Sequence, residues 1–118
     1  MPDIAVLRGD VVRVRLDPTE GSESRGQSRP CIVVQNNIGN QHSPTTIIVP
    51  LTDAKDRETY PFQVLVQKGD GGLTKNSIAL GEQIRVIDRK RITSKMGSLN
   101  AEIMDEIGEA LHASLQLV

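Results

Sequence analysis

Short segments in which apolar and polar residues alternate recur along the first hundred positions of the chain. Residues 11–16 read VVRVRL and residues 62–67 read FQVLVQ, and each places apolar side chains at every second position. A period of two is the spacing of side chains on one face of a β-strand. The alternation therefore predicts half-buried strands at both places.

Further apolar runs extend the predicted sheet. They span residues 30–35, 45–51, 77–87 and 92–97. Pro50 has no amide hydrogen to donate, so it is expected at a strand end or at a sheet edge. The run 77–87 is long for one strand, and Gly81 is expected to mark a bulge or bend within it.

The last stretch of the chain changes period. Ile103, Ile107 and Leu111 recur every four residues, with Leu115 one turn further, and acidic residues occupy the other faces. This spacing is typical of an amphipathic α-helix, for which Asn100 is a suitable N-terminal cap. Strands followed by one helix predict a mainly β, α+β fold: a small, strongly bent antiparallel sheet or barrel with a C-terminal α-helix.

Composition restricts the classes of function. The 118 residues suit a single domain, 1–118. With one cysteine, Cys31, and two distant histidines, no disulfide, metal site or cofactor is expected. Aromatic residues make up 2%, which argues against a sheet that stacks bases on aromatic rings. The sequence contains no membrane-spanning run and does not begin like a signal peptide, so a cytoplasmic protein with no membrane partner is expected.

Charge is unevenly placed although the net charge is only −1. Residues 85–95 carry five basic side chains against Asp88, whereas residues 98–118 carry four acidic side chains and no Lys or Arg. The basic segment suits a phosphate-binding surface. The alternative, which these residues alone favour, is a solvated edge partly paired with the acidic helix.

Several motifs follow one another from residue 8 to the final helix. They are Arg8-Gly9-Asp10, Leu16-Asp17-Pro18, Gly21-Ser22-Glu23, Arg29-Pro30, Gln35-Asn36-Asn37-Ile38-Gly39-Asn40, Ser43-Pro44-Thr45, Pro50-Leu51-Thr52 and Glu82-Gln83-Ile84-Arg85. Each motif alone is weak, but the ordered set resembles the MazF/PemK toxins, and most of all the MazF toxins of the Gram-positive type. One departure is the segment GSESRGQSRP, which has one residue more than the usual GSEQxGxRP.

The resemblance implies a function and an assembly. Such proteins are the toxins of type II toxin–antitoxin pairs, and they are metal-independent, ribosome-independent endoribonucleases that cut single-stranded mRNA at short motifs. Their fold is an SH3-like, strongly bent antiparallel β-barrel with a C-terminal helix. They form homodimers that hold single-stranded RNA across the dimer interface, and a cognate antitoxin binds the same groove.

Arg29, Thr52 and Glu82 are the predicted catalytic residues. Cleavage by the RNA's own 2′-hydroxyl needs a proton acceptor and positive charge on the phosphorane. Arg29, at a loop–strand junction, would bind the scissile phosphate, and Thr52 would donate to a phosphoryl oxygen. The resemblance implies an essential arginine and a catalytic threonine at these positions, and Glu82 is the candidate base.

Each of these residues also has a structural interpretation. Arg29 would then form an ion pair with Glu20 or Glu23 of its own loop. Glu82 would pair with Arg85, and the threonine would be an ordinary turn residue after a strand.

Five more residues are predicted to bind RNA, namely Ser22, Gln35, Asn36, Gln83 and Arg85. Gln83 can read a base edge with its donor and acceptor groups. Strict alternation puts Glu82 and Gln83 on opposite faces of the sheet. Both can therefore act at the RNA site only if Gly81 distorts the strand or if one of them faces a dimer partner. Ser22 and the pair 35–36 are equally suited to holding turns.

Two other classes of function compete with this interpretation. A gyrase-poison toxin of the same fold binds protein and is not a nuclease; relatives of that kind use a C-terminal tail containing tryptophan. This chain has no tryptophan and ends Leu117-Val118. A non-catalytic SH3-like module needs an aromatic-lined groove, and Tyr60 and Phe62 are the only aromatic residues here.

Overall fold

A computed structural model describes residues 4–117. Its strands are β1 (Asp10–Val14), β2 (Arg29–Val33), β3 (Thr45–Asp53), β4 (Gln63–Val66), β5 (Ser77–Leu80), β6 (Arg85–Asp88) and β7 (Ile92–Ser98). Its helices are α1 (Asn37–His42) and α2 (Ala101–Leu115), with 3₁₀ turns at Asp70–Gly72, Gly81–Gln83 and Arg89–Arg91. The predicted mainly β fold with a long C-terminal helix is confirmed.

All strand pairs are antiparallel, in the order β4-β5-β3-β2-β1-β7, and β6 also pairs with β3. The nine-residue β3 is the centre of this sheet. It pairs with β2 on one edge, and on the other with β6 over residues 45–48 and with β5 over residues 51–53. Within residues 4–117 no hydrogen-bonded pairing joins β4 to β7, so the word barrel describes this sheet only loosely.

Apolar layers cover both faces of the sheet. Val12, Val14 and Leu16, which the alternation placed together, are fully buried in one layer. Val11 is equally buried, but in the opposite layer, which packs against α2. The first strand is therefore covered on two faces and not on the single face that its period predicted.

The helix α2 begins where the sequence predicts. Asn100 caps it, with Oδ1 accepting a hydrogen bond from the Ile103 amide at 2.9 Å. Ile107 is fully buried, and Ile103 and Leu111 pack partly buried against the same core. Leu115 is 47% exposed, so the apolar stripe extends one turn beyond the core it covers.

The predicted strand 77–87 is divided into β5 and β6 by a 3₁₀ turn that begins at Gly81. A Cβ atom at Gly81 would collide with the carbonyl oxygen of Phe62. The Gly81 amide donates to that oxygen at 3.1 Å, and Ser114 of α2 donates to the Gly81 carbonyl at 3.1 Å. The distortion expected at Gly81 is thus a full break, which lets the two strands pair with different halves of β3.

Pro50 lies inside β3, and its expected position at a strand end or edge is wrong. It pairs in register with Cys31 of β2. Backbone groups of successive strand residues point to alternate edges, and the Ile47 carbonyl accepts from the β2 side, so the Pro50 nitrogen points to the other edge. There β6 pairs only as far as Ile48 and β5 begins at Leu51, so no partner needs the missing hydrogen.

We expect Gly81→Ala to lower the free energy of unfolding by about 1–3 kcal/mol, because the added methyl group forces the turn away from Phe62. Gly108, inside α2, is the matched control. A Cβ there meets nothing within 4 Å, and alanine is favoured over glycine in a helix by about 1 kcal/mol. Urea titrations should show opposite shifts for the two variants. Equal midpoints would contradict the close approach at Gly81.

Candidate functional site

Arg29 and Thr52, predicted from separate motifs, lie together in the structure. Arg29 opens β2, and the Cys31–Pro50 register continued by two residues sets it opposite Thr52. The Arg29 Nη1 lies 3.5 Å from the Thr52 Oγ1 and 3.4 Å from the Leu51 carbonyl oxygen. Its Nε donates to the Arg25 carbonyl at 3.0 Å. These contacts hold the guanidinium in place, and within residues 4–117 they leave Nη2 without a hydrogen-bond partner.

The structural alternative for Arg29, an ion pair inside its loop, is not formed. The salt bridges within the described part of the chain join other residues. The Glu23 carboxylate instead accepts a hydrogen bond from the Glu20 amide at 2.9 Å. The positive charge of Arg29 is therefore available to an anion.

An open cleft of about 440 Å³ lies near this pair, although its lining includes neither Arg29 nor Thr52. It is lined by residues 22–24 of the first loop, by Pro50 of β3 and by residues 82–85. Pro50 and Thr52 point to the same face of β3 because they are two positions apart. The cleft brings together four predicted site residues from distant parts of the sequence, namely Ser22, Glu82, Gln83 and Arg85, and Pro50 connects it to the face of β3 that carries Thr52.

The 3₁₀ turn removes the expected conflict between Glu82 and Gln83, and both line the same cleft. Glu82 is exposed, and its Oε2 accepts from the Gln63 Nε2 at 2.9 Å. The Gln63 Oε1 in turn accepts from the Tyr60 amide at 3.2 Å. Arg85 donates to the Leu16 carbonyl at 3.2 Å, so the alternative Glu82–Arg85 pair is not formed among the described residues.

Gln83 holds the first loop against the cleft. Its Oε1 accepts from the Ser24 amide at 2.5 Å, and its Nε2 donates to the Ser22 carbonyl at 3.2 Å. Each polar atom of the Gln83 side chain makes one of these bonds. The structure thus assigns Gln83 a positioning role, and its role as a base reader stays a prediction.

Gln35 and Asn36 lie at the far end of β2 from the cleft. Asn36 caps α1, a helix that the sequence analysis did not predict, and its Oδ1 accepts from the Gly39 amide at 2.8 Å. The Gln35 Nε2 lies 3.1 Å from both the Asn40 Oδ1 and the Thr45 carbonyl oxygen. These contacts match the interpretation that the pair holds a turn, and their contact with RNA stays a prediction.

Cys31 connects Arg29 and Arg85 in space. The cysteine is fully buried, and burial raises the pKa of its thiol from 9.0 to about 12. The positive charges of Arg29 and Arg85 oppose that rise in pKa. Both guanidinium groups therefore lie close enough to influence the Cys31 thiol, and Cys31 is the neighbour of Pro50 on the adjacent strand.

The basic segment 85–95 does not form one phosphate-binding surface. Arg89 and Arg91 donate to main-chain carbonyl groups elsewhere in the fold, at distances from 2.9 Å. Lys95 pairs with the buried Asp10 at 3.1 Å. The expected pairing with the acidic helix is also not seen in residues 4–117, where the salt bridges lie elsewhere.

Gln63 and Arg25 are site residues that the sequence analysis missed. Gln63 lies in no motif, and it reaches Glu82 only because β4 pairs with β5 in the register Gln63–Leu80. Arg25 lies in the segment with one residue more than the family pattern, which was the available sign that this loop differs.

Within residues 4–117, no three His, Cys, Asp or Glu side chains lie together in a way that could hold a metal ion. His42 and His112 are both exposed, on different helices. No helix in that range has the length and apolar character needed to cross a membrane.

Relatives of this chain match it over nearly its whole length. Endoribonuclease EndoA of Bacillus subtilis (strain 168) is 42% identical over 113 residues, which cover 96% of this chain and 97% of the relative. Endoribonuclease MazF of Staphylococcus epidermidis is 40% identical over 112 residues, covering 95% and 92%. A solved endoribonuclease in complex with its cognate antitoxin, from Mycobacterial species, has a TM-score of 0.79 at 26% identity, covering 97% and 98%. Residues 7–115 also match the family model, and the chain belongs to the PemK-like, MazF-like toxins of type II toxin–antitoxin systems.

Proposed function

We propose that this toxin is a metal-independent, sequence-specific endoribonuclease that cleaves single-stranded mRNA. The observation that carries the proposal is the Arg29–Thr52 pair, a guanidinium 3.5 Å from a hydroxyl group, with an open cleft near it on the Pro50 side. The names of two relatives at 40% identity or more support the same activity. A gyrase-poison function has no comparable support.

The reaction needs no covalent bond to the protein. The 2′-oxygen of a ribose forms a bond to the adjacent phosphorus and loses its proton, while the bond from phosphorus to the 5′-oxygen breaks and that oxygen gains a proton. The products are a 2′,3′-cyclic phosphate and a 5′-hydroxyl. We assign proton acceptance to Glu82, which is exposed in the cleft and held by Gln63.

Arg29 and Thr52 stabilise the negative charge that develops on the phosphorane. The Arg29 Nη2 is available to a phosphoryl oxygen, and the Thr52 hydroxyl can donate to the same group. Because the sheet already holds both groups, little reorganisation is needed when charge develops. A guanidinium keeps its proton strongly, so charge stabilisation is the role assigned to Arg29, and not proton donation.

The remaining cleft residues bind the RNA strand. Ser22 offers a hydroxyl group from the loop, Arg85 offers positive charge from the sheet, and Gln83 keeps the loop in position. Gln35 and Asn36 lie at the far end of β2, so they can contact the RNA only if the RNA strand continues along the whole length of β2.

The proposal includes two protein partners and a location. A cognate antitoxin is supported by the mycobacterial relative that was solved with one. A second copy of this chain would cover exposed apolar side chains such as Leu7 and Ile38, which are 57% and 75% exposed. These two residues are neighbours, because the Arg8 amide donates to the Asn37 Oδ1 at 2.7 Å. We also propose a cytoplasmic location, because mRNA is the proposed substrate.

The test is to incubate the purified chain with a long single-stranded RNA in excess EDTA. We expect discrete fragments with 5′-hydroxyl ends, and no cleavage of DNA of the same sequence, since DNA lacks the 2′-hydroxyl. The mapped ends would identify the motif. If this RNA and a second RNA of unrelated sequence both stay intact, the proposal is wrong.

A further inference from the structure

A second groove, of about 540 Å³, lies on the other side of the first loop from the cleft. We call it the basic groove, because its lining includes four cationic side chains, Arg13, Arg25, Arg29 and Lys75, and one carboxylate, Asp53. The cleft, in contrast, is lined by two carboxylates and one arginine. The chain therefore has one strongly positive surface, although its net charge is close to zero.

Like Arg29, Arg13 and Arg25 have no acidic partner in the described part of the chain. Arg13 is half-buried in β1 and donates only to the Ser28 carbonyl, at 3.2 Å. The Arg25 side chain is exposed, while its carbonyl is bound to the Arg29 Nε. Lys75 lies 3.6 Å from the Asp53 carboxylate and is partly neutralised by it.

The cleft and the basic groove adjoin along the first loop, and Arg29 lines the basic groove. Residues 22–24 of the loop line the cleft, and residues 25–29 line the basic groove. The guanidinium of Arg29 also contacts Thr52, next to the cleft. Arg13, Arg25 and Arg29 line one groove, so a strand whose scissile phosphate lies at Arg29 can continue into this groove toward Arg13 and Arg25.

We propose that Arg13 and Arg25 bind the RNA phosphates that flank the cleavage site, so that the strand runs from the cleft past Arg29 into the basic groove. This inference rests on the proposed nuclease function. The contacts are to phosphates and not to bases, so they contribute affinity and register without sequence preference. Arg25 belongs to the loop segment with one residue more than the usual family pattern.

The salt dependence of RNA binding tests the proposal. The probe is a 2′-O-methyl RNA, which the enzyme binds but cannot cut by 2′-hydroxyl attack. The logarithm of the dissociation constant is measured against the logarithm of salt concentration for the wild type, Arg13→Ala and Arg25→Ala. Each phosphate contact on a single strand contributes a slope of about 0.7. We expect the slope of each variant to be smaller than that of the wild type by about 0.7. Each variant should also bind the RNA roughly 3- to 10-fold more weakly at low salt.

Lys90→Ala is the matched control, since it removes one positive charge from an exposed turn that lines neither groove. It should leave the slope unchanged, and Arg13→Lys should restore most of it. The affinity for a second probe of scrambled sequence should fall by the same factor in both arginine variants, because phosphates carry no sequence information. Circular dichroism melting curves check that each variant is folded.

The outcomes separate this inference from the nuclease proposal. A wild type that cuts RNA, together with arginine variants that keep the full salt slope, would overturn the basic groove and leave the nuclease intact. A loss that appears for only one RNA sequence would show base contacts and would also overturn it. If the variants lose affinity for polyglutamate and not for RNA, the groove binds an acidic protein segment. Absence of wild-type cleavage would instead remove the proposed function.

Discussion

Replacing Arg29 with alanine is expected to slow RNA cleavage by about 1,000-fold or more, while the protein stays folded. The variant loses the guanidinium that faces the developing negative charge, and groups of this kind contribute about 10²–10⁵-fold in rate. The structure adds a reason for a large effect, because Arg29 is half-buried, held at 3.0 Å by the Arg25 carbonyl and without an acidic partner in residues 4–117. Single-turnover cleavage of a mapped RNA motif measures the loss.

The controls separate charge, geometry and folding. Arg29→Lys keeps the charge but not the planar fork, so it should recover only part of the rate. Arg57→Ala removes an exposed arginine that lines neither the cleft nor the basic groove, and it should cut at the wild-type rate. An Arg29→Ala protein with normal melting and an unchanged cleavage rate would remove Arg29 from the mechanism.

Replacing Thr52 with valine should slow cleavage by roughly 10- to 1,000-fold, the scale for losing one donor to the transition state. Valine keeps the shape and the β-branch, so β3 and its pairing with Ile78 should persist. Thr52→Ser keeps the hydroxyl and should retain most of the activity. The same single-turnover assay measures both variants.

Comparing the cleavage rates of the two Thr52 variants shows whether the hydroxyl group takes part in the reaction. If valine and serine cut equally fast, Thr52 is a structural residue at a strand end, and the hydroxyl 3.5 Å from Arg29 takes no part in the reaction. If Thr52→Ser cuts RNA as slowly as Thr52→Val, loss of the threonine methyl group is enough to disturb the site. The loss of cleavage rate then has its cause in packing and not in the hydroxyl group.

The elements that depend on local pattern could be predicted from the sequence. Period-two runs identified β1 and β4, and the four-residue period identified α2 with its cap at Asn100. These features follow from which face of an element is apolar and from hydrogen bonds between near neighbours. Arg29 and Thr52 were predicted from their positions near strand ends together with the resemblance to a family, and their catalytic roles stay predictions.

Other features depend on contacts between distant segments. Gly81 ends a strand because the Phe62 carbonyl lies against it, and Pro50 is accepted inside β3 because two strands leave a gap on that edge. Neither neighbour is close in sequence, so neither effect could be predicted from the local pattern. The short helix α1 was missed because six residues are too few for a periodicity to appear.

The largest difference between expectation and structure concerns which basic side chains are bound within the fold and which remain available to a ligand. By itself the sequence determined the sheet, the helix and the residues able to do phosphate chemistry, because hydrophobic period and side-chain chemistry are local properties. Only the tertiary structure decided which arginines remain available. Arg89 and Arg91 donate to several main-chain carbonyl groups away from both grooves, whereas Arg13 and Arg25 line an open groove together with Arg29. The physical reason is that an arginine is available to a ligand only where the fold leaves its guanidinium group beside open space and without an acidic partner.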